Sequence, residues 1–133
     1  MNWCEEPAPQ LLLDAIEQFN RGEYFEQHET LEILWRGEAR PVRRLYQGIL
    51  QIGVAFHHLR RGNYHGAVYM LTRGSMCLEP FAPVCQGVDV GALLEAAKAA
   101  LSAVEQLGPN RLQDFDWRLA PRVRCDTGPR PKA

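Results

Sequence analysis

The sequence predicts an all-α fold, a compact bundle of about five helices built on helical hairpins. Three observations carry this expectation. Apolar residues recur every three or four positions through most of the chain, the spacing of helices with one buried face. Gly or Pro follows each of these segments, where a helix would stop. No segment alternates apolar and polar residues with β-branched side chains, so no sheet is expected.

Taken in order, residues 1–9 read as a flexible N-terminal arm, 10–117 as a single helical domain, and 118–133 as a basic, Pro-containing tail expected to be mobile. The first helix places Leu12, Ala15, Ile16 and Phe19 on one side and ends at Asn20, Arg21 and Gly22. The second runs from about Tyr24 to Arg36, with Phe25, Leu31, Leu34 and Trp35 as its apolar side, and Gly37 stops it. Pro41 opens the third, where its missing N–H costs nothing. Leu45, Ile49, Ile52, Phe56 and Leu59 then step by four, three, four and three, a stripe on a 3.6-residue period that marks this helix as central. Gly62 and Asn63 break it. A fourth helix, about Tyr64 to Leu78, uses Ala67, Val68, Leu71 and Leu78, and Pro80 and Pro83 make a loop. Asp89 is a cap for a fifth helix over 90–107, rich in Ala and Leu, which Gly108 and Pro109 end. Beyond it, Leu112, Phe115 and Trp117 are expected to pack a short turn onto the bundle.

Composition excludes several function classes. With 46% hydrophobic and 23% charged residues the 133-residue chain has the balance of an ordinary globular domain, and a net charge of -1 offers no global attraction for nucleic acid or an anionic membrane. No stretch is long and apolar enough to span a bilayer. Residues 1–10 carry Glu5, Glu6, Pro7 and Pro9 in place of an apolar run, so no signal peptide is read there and the cytoplasm is the expected location. Cys4, Cys77, Cys85 and Cys125 form neither a CxxC pair nor a zinc-finger spacing. They are expected as reduced thiols; a Cys77–Cys85 disulfide would need an oxidising compartment.

Arg21-Gly22-Glu23-Tyr24 is echoed by Arg61-Gly62-Asn63-Tyr64 forty residues later. Each copy joins two helices through a Gly turn. The pattern is that of a helical-hairpin repeat, remotely tetratricopeptide-like but with a longer period. The competing reading is local: tight hairpins favour Gly in the turn and an aromatic to seal it.

The residues that could carry chemistry lie on the second helix. Phe25, His28, Glu32 and Trp35 step by three, four and three and share one face. His28 and Glu32, one turn apart, have Cβ atoms about 6 Å from each other, close enough to act together. On the third helix Arg44, Gln47 and Gln51 form a polar line that an antiparallel partner would bring opposite them. A divalent metal needs imidazole nitrogen and carboxylate oxygen at one point, usually from three or more protein ligands. His28 and Glu32 supply two, and His57, Glu29 or His58 a third. With an open position such a metal would activate water, so hydrolysis is conceivable. The competing reading is a buried polar network, with Glu32 neutralised by Arg44 and His28 donating to Gln47 or Gln51, which fixes helix register and does no chemistry. A third is a metal-free acid–base pair, His28 oriented by Glu32.

At these residues the chain resembles the prokaryotic domain of unknown function number 309. The resemblance runs from about Phe19 to Leu78. It rests on residues 25–35, Leu45-Tyr46-Gln47-Gly48, Gln51, His57 and Arg61-Gly62-Asn63. It implies an all-helical bundle and a signature of His, three residues, Glu, two residues and an aromatic, which falls here on His28, Glu32 and Trp35. That signature is suspected of binding metal, with no assigned reaction.

The resulting expectation is a divalent-metal site (zinc, manganese or iron) between the second and third helices. Its ligands are His28, Glu32 and His57, supported by Glu29, Arg44, Gln47 and Gln51 and walled by Phe25 and Trp35, with a metal-dependent hydrolase as the enzyme it would make. The rival is a non-enzymatic helical scaffold for protein–protein interaction or self-association as a homo-oligomer, with no nucleic-acid or membrane partner.

Overall fold

A computed structural model describes residues 3–126. It is an all-α bundle. The helices are α1 (Gln10–Asn20), α2 (Tyr24–Arg36), α3 (Arg43–Arg60), α4 (Tyr64–Leu78) and α5 (Val90–Leu107). Each packs on the one before it.

The central stripe lies where its period puts it. Leu45, Ile49, Ile52 and Phe56 are fully buried and Leu59 nearly so. On α1 the buried residues are Leu12, Ala15, Ile16 and Phe19, and Leu112 and Phe115 close the core from the far end. The α3–α4 contact is especially close. A Cβ on Gly48 would fall 2.8 Å from Leu78, and one on Gly74 would fall 3.1 Å from the Gly48 carbonyl, so the two backbones approach where neither carries a side chain.

The α1–α2 and α3–α4 turns share one geometry. Gly22 and Gly62 take φ of 79° and 76°, a region open to Gly at no steric cost. Glu23 N–H reaches Gln18 O at 2.9 Å and Gly22 N–H reaches Phe19 O at 2.9 Å; Asn63 and Gly62 repeat this on His58 and Leu59 at 2.8 and 3.1 Å. Both are Schellman motifs, which satisfy the last helical carbonyls. Asn63 also caps α4, its Oδ1 accepting from Gly66 N–H, and Asp89 caps α5 as expected, accepting from Ala92 N–H at 2.9 Å.

Two expectations need correction. A small hairpin is present: β1 (Val84–Cys85) pairs antiparallel with β2 (Val88–Asp89). Its turn residues Gln86 and Gly87 both have positive φ, 51° and 81°, as a two-residue hairpin loop of the favoured hand requires. Strands of two residues are too short to show alternation in a sequence. Second, the cysteines are not all reduced. Cys4 is joined to Cys85, while Cys77 is a buried thiol, so the disulfide considered from sequence spacing is not the one formed. The two ends of the described chain also make contacts with the rest of the fold. Residues 3–5 form a short 3-10 turn, covalently tied to β1 by that disulfide. At the other end Val123 is buried, clamped by the Asn20 amide, which donates to its carbonyl at 2.9 Å and accepts from its N–H at 2.8 Å. Cys125 then bridges to Val88. The part of the basic tail over 127–133 lies outside the described residues. No helix among the described residues is long and apolar enough to cross a membrane.

Candidate functional site

The α2–α3 pair positions every candidate side chain. The two helices are antiparallel: Tyr24 at the start of α2 packs its ring 5.7 Å from that of Phe56 near the end of α3, and Arg43 at the start of α3 stacks 4.1 Å over Trp35 near the end of α2. The face that α2 buries differs from the one expected. Tyr24, Gln27 and Leu31 point into the bundle, whereas Phe25 is 52% exposed. Gln27 is fully buried, and its Nε2 donates to the Leu50 carbonyl at 3.2 Å. It sits over Gly53, where a Cβ would collide with its amide. The polar strut between these helices is therefore Gln27. Sequence reasoning passed over it, although Tyr24, Gln27, Leu31 and Leu34 repeat the three-four-three spacing of a buried stripe.

This rotation of α2 sets the flanking residues at the edge of the helix pair. His28, Glu32, Trp35, Gln47, Leu50 and Gln51 line a cleft of about 140 Å³. Tyr24, Phe25, His28, Val54 and His57 line an adjoining one of about 130 Å³. His28 belongs to both. Phe25 lies between the imidazoles, its ring 6.0 Å from His28 and 5.8 Å from His57.

The expected partnerships are rearranged. His28 and Glu32 do open on one cleft, with Gln47 and Gln51 opposite, as an antiparallel pair demands. Glu32 is paired with Arg36 at 3.3 Å and not with Arg44, an exposed i,i+4 contact worth little. Arg44 turns to α4 and contacts the Cys77 sulfur at 3.5 Å, and that thiol lies 3.6 Å from Gln51 Oε1. Among the described residues no hydrogen bond joins His28 to Gln47 or Gln51. Glu29 is exposed and lines neither cleft. His57 faces the second cleft, away from Glu32. Among the described residues no three His, Cys, Asp or Glu side chains gather as a metal-holding group. The predicted set of His28, Glu32 and His57 is thus divided between two clefts, because His57 lies about one and two-thirds turns beyond Gln51 on α3.

Two neighbouring groups have shifted titration. Burial pushes the Tyr24 hydroxyl above its usual range, partly offset by Arg60, whose guanidinium lies 4.9 Å over the ring. Burial likewise holds the His58 imidazole below its usual range, with His57 and Arg61 adding to the effect. Asn63 Oδ1 is engaged at the α4 cap, so its Nδ2 donates to His58 Nδ1 at 3.2 Å and the imidazole is assigned its proton on Nε2. Protonation would set two donors against each other. Because the folded-state value lies below the unfolded one of about 6.5, His58 leaves stability undiminished above that pH and reduces it as pH falls through the folded value. Urea unfolding between pH 8 and 5 is expected to show a decline that is shallower in His58→Gln; equal slopes in the two proteins would remove this assignment.

The model of the family described as Domain of unknown function (DUF309) matches residues 12–70, a span that starts in α1 and ends in α4. The uncharacterized protein YpuF of Bacillus subtilis (strain 168) is 28% identical over 126 residues, which cover 88% of this chain and 72% of YpuF. An uncharacterized protein of Aquifex aeolicus (strain VF5) is 21% identical over 105 residues, 78% of this chain but only 32% of that relative's length. Both clefts are built from residues within the span, 12–70, over which the chain matches the DUF309 family model.

Proposed function

We propose that the chain is a helical binding module whose α2–α3 groove docks a segment of a partner protein carrying a basic side chain next to an apolar one. The observation that carries this is the pair of adjoining clefts sharing His28. At about 130 and 140 Å³ each has the capacity of one side chain; sites for whole metabolites usually run to about 300–1,000 Å³. The first cleft offers the Glu32 carboxylate, the Gln47 and Gln51 amides and the Trp35 indole, a setting for a Lys or Arg head group. The second is walled by Tyr24, Phe25 and Val54 and suits an apolar side chain. Phe25, 52% exposed on α2, extends the apolar surface at its rim.

A second reading is a divalent cation, zinc, manganese or iron, held by His28 and Glu32, with hydrolysis as the reaction it would support. What favours it is that these two donors open on one cleft. Two protein ligands leave the remaining positions to water or to a group brought by the partner.

One experiment separates the two. Amide-resolved NMR is run on the full chain during titration with short peptides presenting Arg beside Leu, and in parallel with zinc and manganese chlorides. The expected result is peptide-induced shifts clustered at Phe25, His28, Gln47 and Gln51, weakened at least fivefold in affinity by Glu32→Gln with the helical signal intact. Shifts scattered over the surface, or tight stoichiometric metal binding abolished by His28→Ala with no peptide response, would overturn the docking reading in favour of the cation.

A further inference from the structure

We propose that the Cys4–Cys85 disulfide is a reducible clasp for the N-terminal arm, opened by a protein dithiol, and not a staple of the bundle. The bond joins no two helices. It links the 3-10 turn Trp3–Glu5 to β1 across 81 residues of sequence, while the buried cluster running through α1 to α5 is contiguous without it.

Polar contacts hold the arm alongside the disulfide. Gln86 donates its backbone N–H to Cys4 O at 2.7 Å and its Nε2 to Trp3 O at 3.3 Å. Arg40 forks onto Glu6 at 2.8 and 3.1 Å. Trp3 and Ala8 lie partly buried on the core. A segment that lies outside the helices opens locally at lower cost than the whole domain. Beneath it Gln86 is 1% exposed and its Oε1 accepts from Tyr46 O–H at 2.8 Å. Releasing the arm takes both acceptors from Gln86 and uncovers this buried pair.

The exposure of the two sulfur-bearing residues gives the bond a direction of attack. Cys85 is fully buried, whereas Cys4 is partly exposed. A thiolate of the dithiol therefore attacks Cys4 Sγ; the Cys4–Cys85 bond breaks and Cys85 leaves as a thiolate that takes up a proton. The second thiol of the dithiol, deprotonated, then attacks its own partner sulfur in the mixed disulfide, releasing Cys4 as a thiolate that is protonated in turn. Two electrons and two protons pass to the protein, and the dithiol becomes a disulfide.

The test uses the full chain, oxidised or treated with dithiothreitol, digested with a protease that cuts after Glu and followed by mass spectrometry. Cleavage after Glu5 and Glu6 is expected to accelerate tenfold or more on reduction, with the helical circular-dichroism signal retained. Cys4→Ser is expected to show the fast cleavage without reductant and no further response to it, while Cys77→Ala responds as the parent does. Equal cleavage rates in oxidised and reduced protein, loss of the helical signal on reduction, or a reductant response that survives in Cys4→Ser or vanishes in Cys77→Ala would each overturn the clasp.

Discussion

Phe56→Ala is expected to destabilise the bundle by about 3–5 kcal/mol, the range for truncating a buried Phe. The ring is fully buried and stands where separate parts of the chain meet. Tyr24 from the start of α2, Phe115 and Trp117 from beyond α5 lie at 5.7, 6.2 and 6.1 Å. Phe115 and Trp117 are themselves edge-to-face at 5.3 Å, and Arg60 lies over both Tyr24 and Trp117. Neighbours fixed by one another cannot collapse into the hole, so the cavity contribution adds to the lost transfer free energy. A loss of this size is a large part of the total stability of a domain, about 5–15 kcal/mol. Urea unfolding followed by circular dichroism would measure it. Phe25→Ala is the matched control: the ring is half exposed, and its removal is expected to cost under about 1 kcal/mol. Similar losses at the two positions would contradict the assignment of Phe56 to the core and Phe25 to the groove.

The contrast between those two phenylalanines shows what the sequence makes legible. Over α3 the stripe of Leu45, Ile49, Ile52, Phe56 and Leu59 is long enough for its period to fix which side faces inward, and all five are buried. On the 13-residue α2 the aromatic residues Phe25 and Trp35 outweigh the stripe in any hydrophobic reading, and Gln27 breaks it with a polar side chain. Hydrophobicity alone therefore rotates the helix wrongly. The amide of Gln27 is tolerated in the core because it donates to the Leu50 carbonyl and because Gly53 leaves it room. That information resides on a different helix. For the same reason His28 and Glu32 could be assigned to one cleft from their four-residue spacing, but the placement of His57 in the next cleft depends on how α3 is turned against α2. The Cys4–Cys85 bond lies further still from sequence logic. Nothing in the spacing of four cysteines brings residue 4 to a hairpin at residue 85; the folded bundle does.

The dependence of the groove on that one close approach gives the second large effect. In the middle of a helix Gly→Ala is ordinarily stabilising by about 1 kcal/mol. At Gly53 the added methyl would meet the Gln27 amide well inside van der Waals contact. Either Gln27 gives up its bond to Leu50 or α2 moves outward, and overpacking of this kind costs about 1–3 kcal/mol. With the helix-propensity gain subtracted, Gly53→Ala is therefore expected to be net destabilising by up to about 2 kcal/mol. In a Gln27→Ala background the obstacle is gone, and the same substitution is expected to become neutral or stabilising by up to about 1 kcal/mol, from the helix propensity that remains. The sign reversal is the diagnostic result. A double-mutant cycle of four proteins, unfolded in urea, measures the coupling. Additivity within about 0.5 kcal/mol would show that Gln27 and Gly53 do not share a contact. Because His28 follows Gln27 directly on α2, the cycle also bears on the groove: whatever displaces Gln27 rotates or lifts the helix that presents His28 and Glu32. If α2 moves outward, Gly53→Ala weakens peptide binding as well as stability, and removal of the Gln27 side chain restores both together.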